Sequence, residues 1–212
     1  GLPDINQTFI DFKANDFRTV YTDAVQIVPA IRNIKNPDLS RIKYLTFTGS
    51  FTGFINDFVT YGTIQTNLGT IRSDLNMKLP AGQDPVYSGS IATDNFRLGE
   101  FLGDENIGLV SMTGTVKGKG FNEKTRNTLV DGNIRYADYK NYRYNNISIK
   151  GKLDKKLFDG TAAINDAHLQ LDMSGLIDFN SNTPRFNLLA KVEKANLKDL
   201  NITRDSIDFS GK

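Results

Sequence analysis

Hydrophobic and polar residues alternate with a period of two through most of the chain, from Ile42 onward. Turn residues, chiefly Asn, Asp, Gly and Lys, interrupt the alternation at short intervals. This pattern is typical of β-strands with one buried face. Because no helix-sized segment separates the strands, we expect each one to pair antiparallel with the next. Ten strands are predicted, over 42–52, 57–67, 70–79, 86–96, 107–119, 127–137, 142–153, 157–165, 168–179 and 185–193.

The one helical pattern precedes these strands, over 16–34, and follows a short strand-like opening. Its apolar residues recur every three or four positions, which predicts an amphipathic helix that Pro29 ends or kinks. We therefore expect an N-terminal strand and capping helix over 1–41 and a sheet over 42–212. Gly1 resembles a cloning scar and the last residues stop within a strand pattern, so we interpret the chain as excised from a longer, repeat-built protein.

Glycines fall on the apolar side of the predicted strands. In the first strand Leu45, Gly49 and Phe51 share one side, whereas Thr48 and Ser50 lie on the other. The sheet is therefore expected to be apolar on one face and polar on the other. One helix of about 27 Å cannot cover about ten strands spaced roughly 4.8 Å apart. The apolar face must then close on itself or on a ligand.

Two architectures satisfy this pattern. In a β-sandwich, two inner faces interdigitate and the glycines admit bulky neighbours. In an all-β curled antiparallel sheet, a β-taco or half-pipe trough with one N-terminal helix, the glycines keep a slot free for an acyl chain. We predict the trough. Its expected lining is Leu45, Phe47, Phe51, Ile64, Ile91, Val110, Met112, Val116, Ile134, Ile147, Ile149, Leu153, Phe158, Ile164, Leu171, Met173, Ile177 and Phe179. The glycines expected to keep the slot open are Gly49, Gly89, Gly114, Gly132, Gly151, Gly160 and Gly175.

Composition narrows the function classes. With 39% hydrophobic residues the chain can form a core, and its net charge of +2 argues against a broad nucleic-acid-binding face. The absence of cysteine excludes disulfides, thiolate metal sites and cysteine nucleophiles. No apolar run approaches the roughly 20 residues that span a bilayer. We expect no metal, no cofactor and no enzymatic activity.

Candidate catalytic and binding residues are few. His168 is the only histidine, so a histidine-based metal site is unavailable, and we interpret it as a residue of the polar face. The dispersed carboxylates match no calcium loop, although a two-carboxylate glycosidase site assembled in space stays open. The basic stretch 116–126 is interpreted as a solvated hairpin, with contact to anionic lipid head groups as the alternative. The four tyrosines of 136–144 are interpreted as sealing a sheet edge.

A resemblance to a known family rests on three phrases of the sequence. They are RIKYLTFTGSFTGFINDFVTYGTIQTNLGTIRSDLNMKLP, YSGSIATDNFRLGEFLGD and TGTVKGKGFNEKTRNTLVDGNIRYADYKNYRYNNISIKGKLDKKLFDG. Together they resemble the translocation/assembly module TamB family, within the AsmA-like group, in the form found in Bacteroidota. The similarity runs from about Pro29 to Leu200 and is carried by diffuse phrases rather than by an invariant motif.

The resemblance implies a periplasmic protein of a Gram-negative bacterium, anchored in the inner membrane and built of repeated strands. It implies phospholipid transport toward the outer membrane, with acyl chains in a hydrophobic groove. It also implies a link to outer-membrane biogenesis, with an outer-membrane β-barrel assembly protein as a partner. The predicted helix over 16–34 departs from a pure trough and is expected to cap one end. The alternative function is a self-contained β-sandwich binding module that recognises protein or glycan.

Overall fold

The computed structural model describes residues 7–27, 31–32, 37–181, 183–203 and 207–211. Within these residues the chain forms strands and two short α-helices. In chain order the elements are β1 (Ile10–Val20), α1 (Tyr21–Ile27), β2 (Tyr44–Phe54), β3 (Asp57–Thr66), β4 (Gly69–Lys78), β5 (Val86–Arg97), α2 (Leu98–Leu102), β6 (Ile107–Lys119), β7 (Asn127–Tyr139), β8 (Tyr142–Asp154), β9 (Leu157–Asn165), β10 (Leu169–Asp178), β11 (Arg185–Asn196) and β12 (Asp208–Gly211).

All of these strands belong to one 12-stranded antiparallel sheet, in which each strand pairs with its neighbours in sequence. β1 and β12 form the two edges. The sheet is curled and is not closed, which confirms the predicted all-β curled architecture. The ten predicted strands correspond to β2–β11, and their ends differ from the prediction by at most three residues. The period-two alternation was sufficient to locate them because each strand has one polar and one apolar face.

The predicted helix is shorter than the sequence pattern suggests. Residues 16–20 extend β1, with Phe17 paired to Phe47 and Val20 to Tyr44 of β2. Pairing with β2 satisfies the backbone hydrogen bonds of this segment and brings two phenylalanines together. These interactions outweigh the helical periodicity of the sequence. Positions 28–30 and 33–34 of the predicted helix lie outside the described residues.

Two consequences follow for the N-terminal region. Because β1 is hydrogen-bonded to β2, the sheet extends across the expected boundary at residue 41. The helix α1 lies against β1, where Val25 is buried. With seven residues it is about 10 Å long, too short to cover the trough.

The sheet is a single layer rather than a globule. A compact protein of 23.6 kDa exposes about 9,800 Å². This chain exposes 13425 Å². The excess arises because the described strands pack side by side and no second sheet lies over them. The two-layered packing of a β-sandwich is therefore not the architecture of these residues.

The two ends of the strands differ in what covers them. We call one the α2 end, because it carries α2 together with the β3–β4 turn at 67–68. We call the other the hairpin end. It carries the connections at 55–56, 79–85, 120–126 and 155–156 and the connection between β10 and β11.

Candidate functional site

One line of apolar side chains crosses almost the whole sheet. Residues directly opposite each other in an antiparallel pair point to the same side. Following these pairs from β1 to β11 gives a line that we call the apolar row, roughly 48 Å long at about 4.8 Å per strand. Its members are Phe17, Phe47, Ile64, Ile71, Thr93, Met112, Ile134, Ile147, Ile164, Leu171 and Val192.

The register brings the predicted lining residues to one face of the sheet. All of them except Phe179 lie within strands, and their pairing places them in the apolar row, in the row on its α2 side or in one of three rows on its hairpin side. Phe179 follows β10 directly, and its ring meets that of Phe186 with centroids 6.2 Å apart. Most of these side chains are half-buried. An apolar face that stays partly open can accept an apolar ligand.

Part of this face is closed at the α2 end. Leu68, in the β3–β4 turn, is fully buried and packs with Phe96 and Val110, each 4% exposed. The residues packed around this cluster are Ile42, Ile71, Leu98, Phe101, Met112, Ile134 and Ala137. The predicted lining residues Val110, Met112 and Ile134 thus belong to a packed core, which an acyl chain could enter only by displacing Leu68 or α2.

The predicted glycines do not form one continuous line. Gly114 faces Gly132 in the row next to the apolar row, which also contains Gly49. Gly151 and Gly175 flank Gly160 one row further away, and this second row also contains Gly89. In the first row Ser73 and Ile91 separate Gly49 and its partner Gly62 from Gly114, and in the second row Val116 and Val130 separate Gly89 from Gly151. The side-chain gap is therefore a set of separate patches, which corrects the expectation of a single slot.

Three of the predicted glycines are required by the backbone itself. Gly49 has φ +154°, Gly89 has φ +145° and Gly175 has φ +133°, values that residues with a side chain rarely adopt. A Cβ at Gly89 would lie 1.9 Å from the carbonyl oxygen of Asp74 on β4. Glycine here allows the strand to bend and its neighbour to approach closely, which a curled sheet needs.

Other glycine positions are covered by aromatic rings. The ring of Phe158 comes within 3.0 Å of a Cβ placed at Gly151 and within 2.9 Å of one at Gly160. These two glycines accommodate Phe158 rather than an empty slot. Gly132 is different, because the atom nearest to its Cβ position is the Thr113 oxygen at 3.4 Å. A side chain there would project from the sheet without striking the backbone.

The opposite face of the sheet is polar and carries ion pairs between neighbouring strands. Arg135 of β7 reaches across β6 to Asp94 of β5, and Lys150 of β8 lies 2.9 Å from Asp131 of β7. These side chains are largely exposed, so each pair contributes little to stability. A shallow cavity of about 450 Å³ lies beside the Asp94–Arg135 pair, lined by polar residues such as Arg72 and Asn133 and also by Met112, Ile134 and Ile147.

The histidine belongs to a structural turn between β9 and β10. Its Nδ1 lies 2.8 Å from an oxygen of Asp199. Next to it, the buried carboxylate of Asp166 accepts hydrogen bonds from the Tyr142 hydroxyl, the His168 N–H and the Asn145 backbone and amide. Burial alone would raise the pKa of Asp166, but these donors outweigh it and lower the pKa. With its acceptor sites occupied, Asp166 fixes the turn.

The tyrosines are also engaged within the protein. Tyr136 is buried, its hydroxyl donates to Asn95, and the guanidinium of Arg143 lies 4.1 Å from its ring centroid. Tyr142 and Tyr144 meet edge to face at 4.7 Å. These contacts leave Tyr136 unavailable for stacking on an external base or sugar.

Comparison with protein-family models, with curated proteins and with solved structures gave no match. Within the described residues, none of the helices has the length and apolar character to cross a bilayer. Nor do these residues bring three histidine, aspartate or glutamate side chains together in a metal-binding group. The similarity to TamB therefore stays a prediction that rests on the quoted phrases, and the apolar face is the candidate site.

Proposed function

We propose that this chain is a non-catalytic segment of a periplasm-spanning protein, of the TamB type, that shields phospholipid acyl chains on their way to the outer membrane. The full-length protein would be anchored in the inner membrane and cooperate with an outer-membrane β-barrel assembly protein. The observation that carries the proposal is the apolar row, which crosses eleven strands in a single-layered sheet. A soluble domain of this size would ordinarily cover such a row with a second layer.

The energetics favour a long apolar ligand over a compact one. Each CH₂ removed from water contributes ~0.8 kcal/mol, so a tail of about 16 carbons gains on the order of 12 kcal/mol of shelter. That gain requires contact along the whole tail, which apolar rows that continue from strand to strand on the hairpin side of the Leu68 cluster offer and a small pocket does not. The polar face, with its ion pairs, keeps the other side of the sheet in water.

Lipid analysis of the purified chain tests the proposal. We expect native mass spectrometry and solvent extraction to find phospholipid bound in stoichiometric amounts. A lipid-free chain that does not take up added phospholipid would contradict the proposal. If that chain also melted cooperatively at high temperature, a self-contained module that recognises protein or glycan would be favoured.

A matched pair of substitutions locates the lipid. Gly132→Phe places a ring on the apolar face where the backbone allows it, next to Gly114 and Ile149. Asn133→Phe places the same ring on the polar face of the same strand. We expect Gly132→Phe to remain folded and to lose at least half of the bound phospholipid, whereas Asn133→Phe retains it. Equal retention by both variants would place the lipid elsewhere.

A further inference from the structure

The hairpin end of the sheet forms one continuous rim. Each connection donates a backbone N–H to a carbonyl of the neighbouring one, so the turns are fixed relative to each other. The bonds run from Leu79 to Asn56 at 2.7 Å, from Gly120 to Pro85 at 2.8 Å, from Lys155 to Arg126 at 2.7 Å and from Phe179 to Lys156 at 3.1 Å. Side chains from β3 to β11 are therefore presented along one line.

This rim carries free positive charge. Lys117, Lys119, Lys124 and Lys155 are exposed. None of them forms an ion pair with a residue that the structure describes. The acids of the four connections at 55–56, 79–85, 120–126 and 155–156 are two: Glu123, which pairs with Lys156 at 3.2 Å, and Asp84. At the strand ends beside them, Asp57 pairs with Lys78, Asp154 pairs with Lys152, and Asp178 accepts a hydrogen bond from the Asn180 N–H. The rim therefore attracts anions, and its lysines lose no internal partner when they bind one.

The same rim exposes aromatic side chains. Phe179 is 51% exposed and Phe186 is 62% exposed, although their rings touch. The ring of Phe121, in the β6–β7 connection, stacks on that of Tyr87 with the ring centroids 5.4 Å apart. Exposed phenylalanines do not contribute to the solubility of the rim, so solvation alone does not account for them. Aromatic rings beside lysines are typical of surfaces that enter the head-group region of a bilayer.

The rim also borders the apolar face. Phe158 pairs with Ile177, and Ile177 with Phe186, so the apolar residues continue up to the hairpin end. At the α2 end, in contrast, the core around Leu68 closes the face. A bilayer that contacts the hairpin end would thus meet the open side of the groove.

We propose that the hairpin end docks on an anionic lipid bilayer, with the lysines on the head groups and Phe179 and Phe186 inserted between them. This inference goes beyond the proposed function, because a groove can hold acyl chains without any preference for a charged surface. Each lysine near such a surface strengthens binding roughly fivefold. Three of them together should change binding by on the order of 100-fold.

Sedimentation with vesicles tests this docking on the whole chain. The probes are vesicles of phosphatidylcholine alone and vesicles of equal parts phosphatidylcholine and phosphatidylglycerol. We expect binding to the mixed vesicles only, and loss of that binding at about 1 M salt, where the Debye length is ~3 Å. Equal binding to both vesicles, or to neither, would overturn the inference.

Charge substitutions then identify the surface. We expect Lys117→Gln, Lys119→Gln and Lys124→Gln together to weaken binding to mixed vesicles at least tenfold. The control removes the same charge away from the rim, as Lys43→Gln, Lys140→Gln and Lys198→Gln, and should weaken it less than threefold. Equal losses in the two triple variants would mean that net charge alone is sensed, which refutes a specific docking rim.

The aromatic contribution is separable from the charge. Phe186→Ser, at a position outside the predicted lining, leaves every lysine in place and removes a ring that is 62% exposed, so the fold should persist in circular dichroism. We expect vesicle binding to fall at least fivefold while bound phospholipid in the purified chain stays constant. Unchanged vesicle binding would refute insertion. Absence of phospholipid from the purified wild-type chain would contradict the proposed function and not the docking.

Discussion

The two ends of the strands are built from the same alternating pattern and yet end in opposite surfaces. At the α2 end Leu68 and Leu200 have almost no exposed area. At the hairpin end Phe186 is mostly exposed. The strands supply apolar residues to both ends, so the difference lies in the connections. Leu68 and α2 pack over the sheet at one end, and the connections of the other end leave Phe179 and Phe186 exposed.

The charged side chains also differ between the two ends of the strands. Acidic side chains of the α2 end are engaged: Asp138 accepts two hydrogen bonds from Arg143, and Asp166 is surrounded by donors. The hydrogen bonds from Arg143 lower the pKa of Asp138. At the hairpin end Lys117, Lys119, Lys124 and Lys155 lack such partners among the described residues, whereas Lys156 pairs with Glu123. Unpaired charge is thus concentrated at the hairpin end.

The largest effect is expected from opening the closed end. Leu68→Ala removes a fully buried side chain from the cluster with Phe96 and Val110. We expect the free energy of unfolding to fall by about 2–5 kcal/mol in urea titration. The control Leu129→Ala, at an exposed position, should change it by less than about 0.5 kcal/mol. Similar values for both variants would show that the α2 end is not a stabilising core.

The second-largest effect is expected at Gly89, where the strand bends. Gly89→Ala places a Cβ against the Asp74 carbonyl at a backbone conformation that suits glycine. We expect a loss of about 1–3 kcal/mol in the free energy of unfolding. Gly132→Ala, where a Cβ would make only ordinary van der Waals contacts, should be close to neutral. If both variants were neutral, the strand would not depend on glycine for its curvature.

A smaller effect depends on pH. The folded state lowers the pKa of Asp166, so its stabilisation is complete above the unfolded pKa of about 3.9 and is lost as the pH falls through the folded value. We expect Asp166→Asn to destabilise by about 1–3 kcal/mol at neutral pH. Between about pH 5 and pH 2 the variant should lose stability less steeply than the wild type. Parallel pH profiles in urea titration would contradict the assignment, with the exposed Asp159→Asn as control.

The smallest effect is expected at the open rim. Phe186→Ser alters a ring that is 62% exposed, so the free energy of unfolding should change by less than about 1 kcal/mol. Thermal melting followed by circular dichroism measures this. A large loss of stability would mean that the hairpin end is itself a packed core, and the contrast between the two ends would disappear.

Sequence patterns predicted the strands better than the connections. Ten strands and the division into polar and apolar faces follow from local alternation, which each strand carries within itself. The helix α2 was missed, although Gly103 in a left-handed conformation directly after Leu102 is a typical helix-ending signal. No sequence pattern predicted the burial of Leu68, because a single leucine in a turn gives the same pattern whether its side chain is exposed or buried.

The glycines show the same limit in another way. Their position on the apolar face was evident from the sequence, since phase within a strand is a local property. Their alignment across strands depends on register, which the β-bulges at Thr93/Phe96 and Ser111/Met112 shift. Whether a gap is filled depends on a neighbouring rotamer, as the ring of Phe158 over Gly151 and Gly160 shows.

By itself, the sequence determined that this chain forms a long antiparallel sheet with one apolar face, because a period of two assigns every side chain to a side. The tertiary structure alone decided that the sheet stays a single curled layer, that its gaps are patches and that one end is closed. These features arise from contacts between residues far apart in the chain, and no local pattern encodes such contacts.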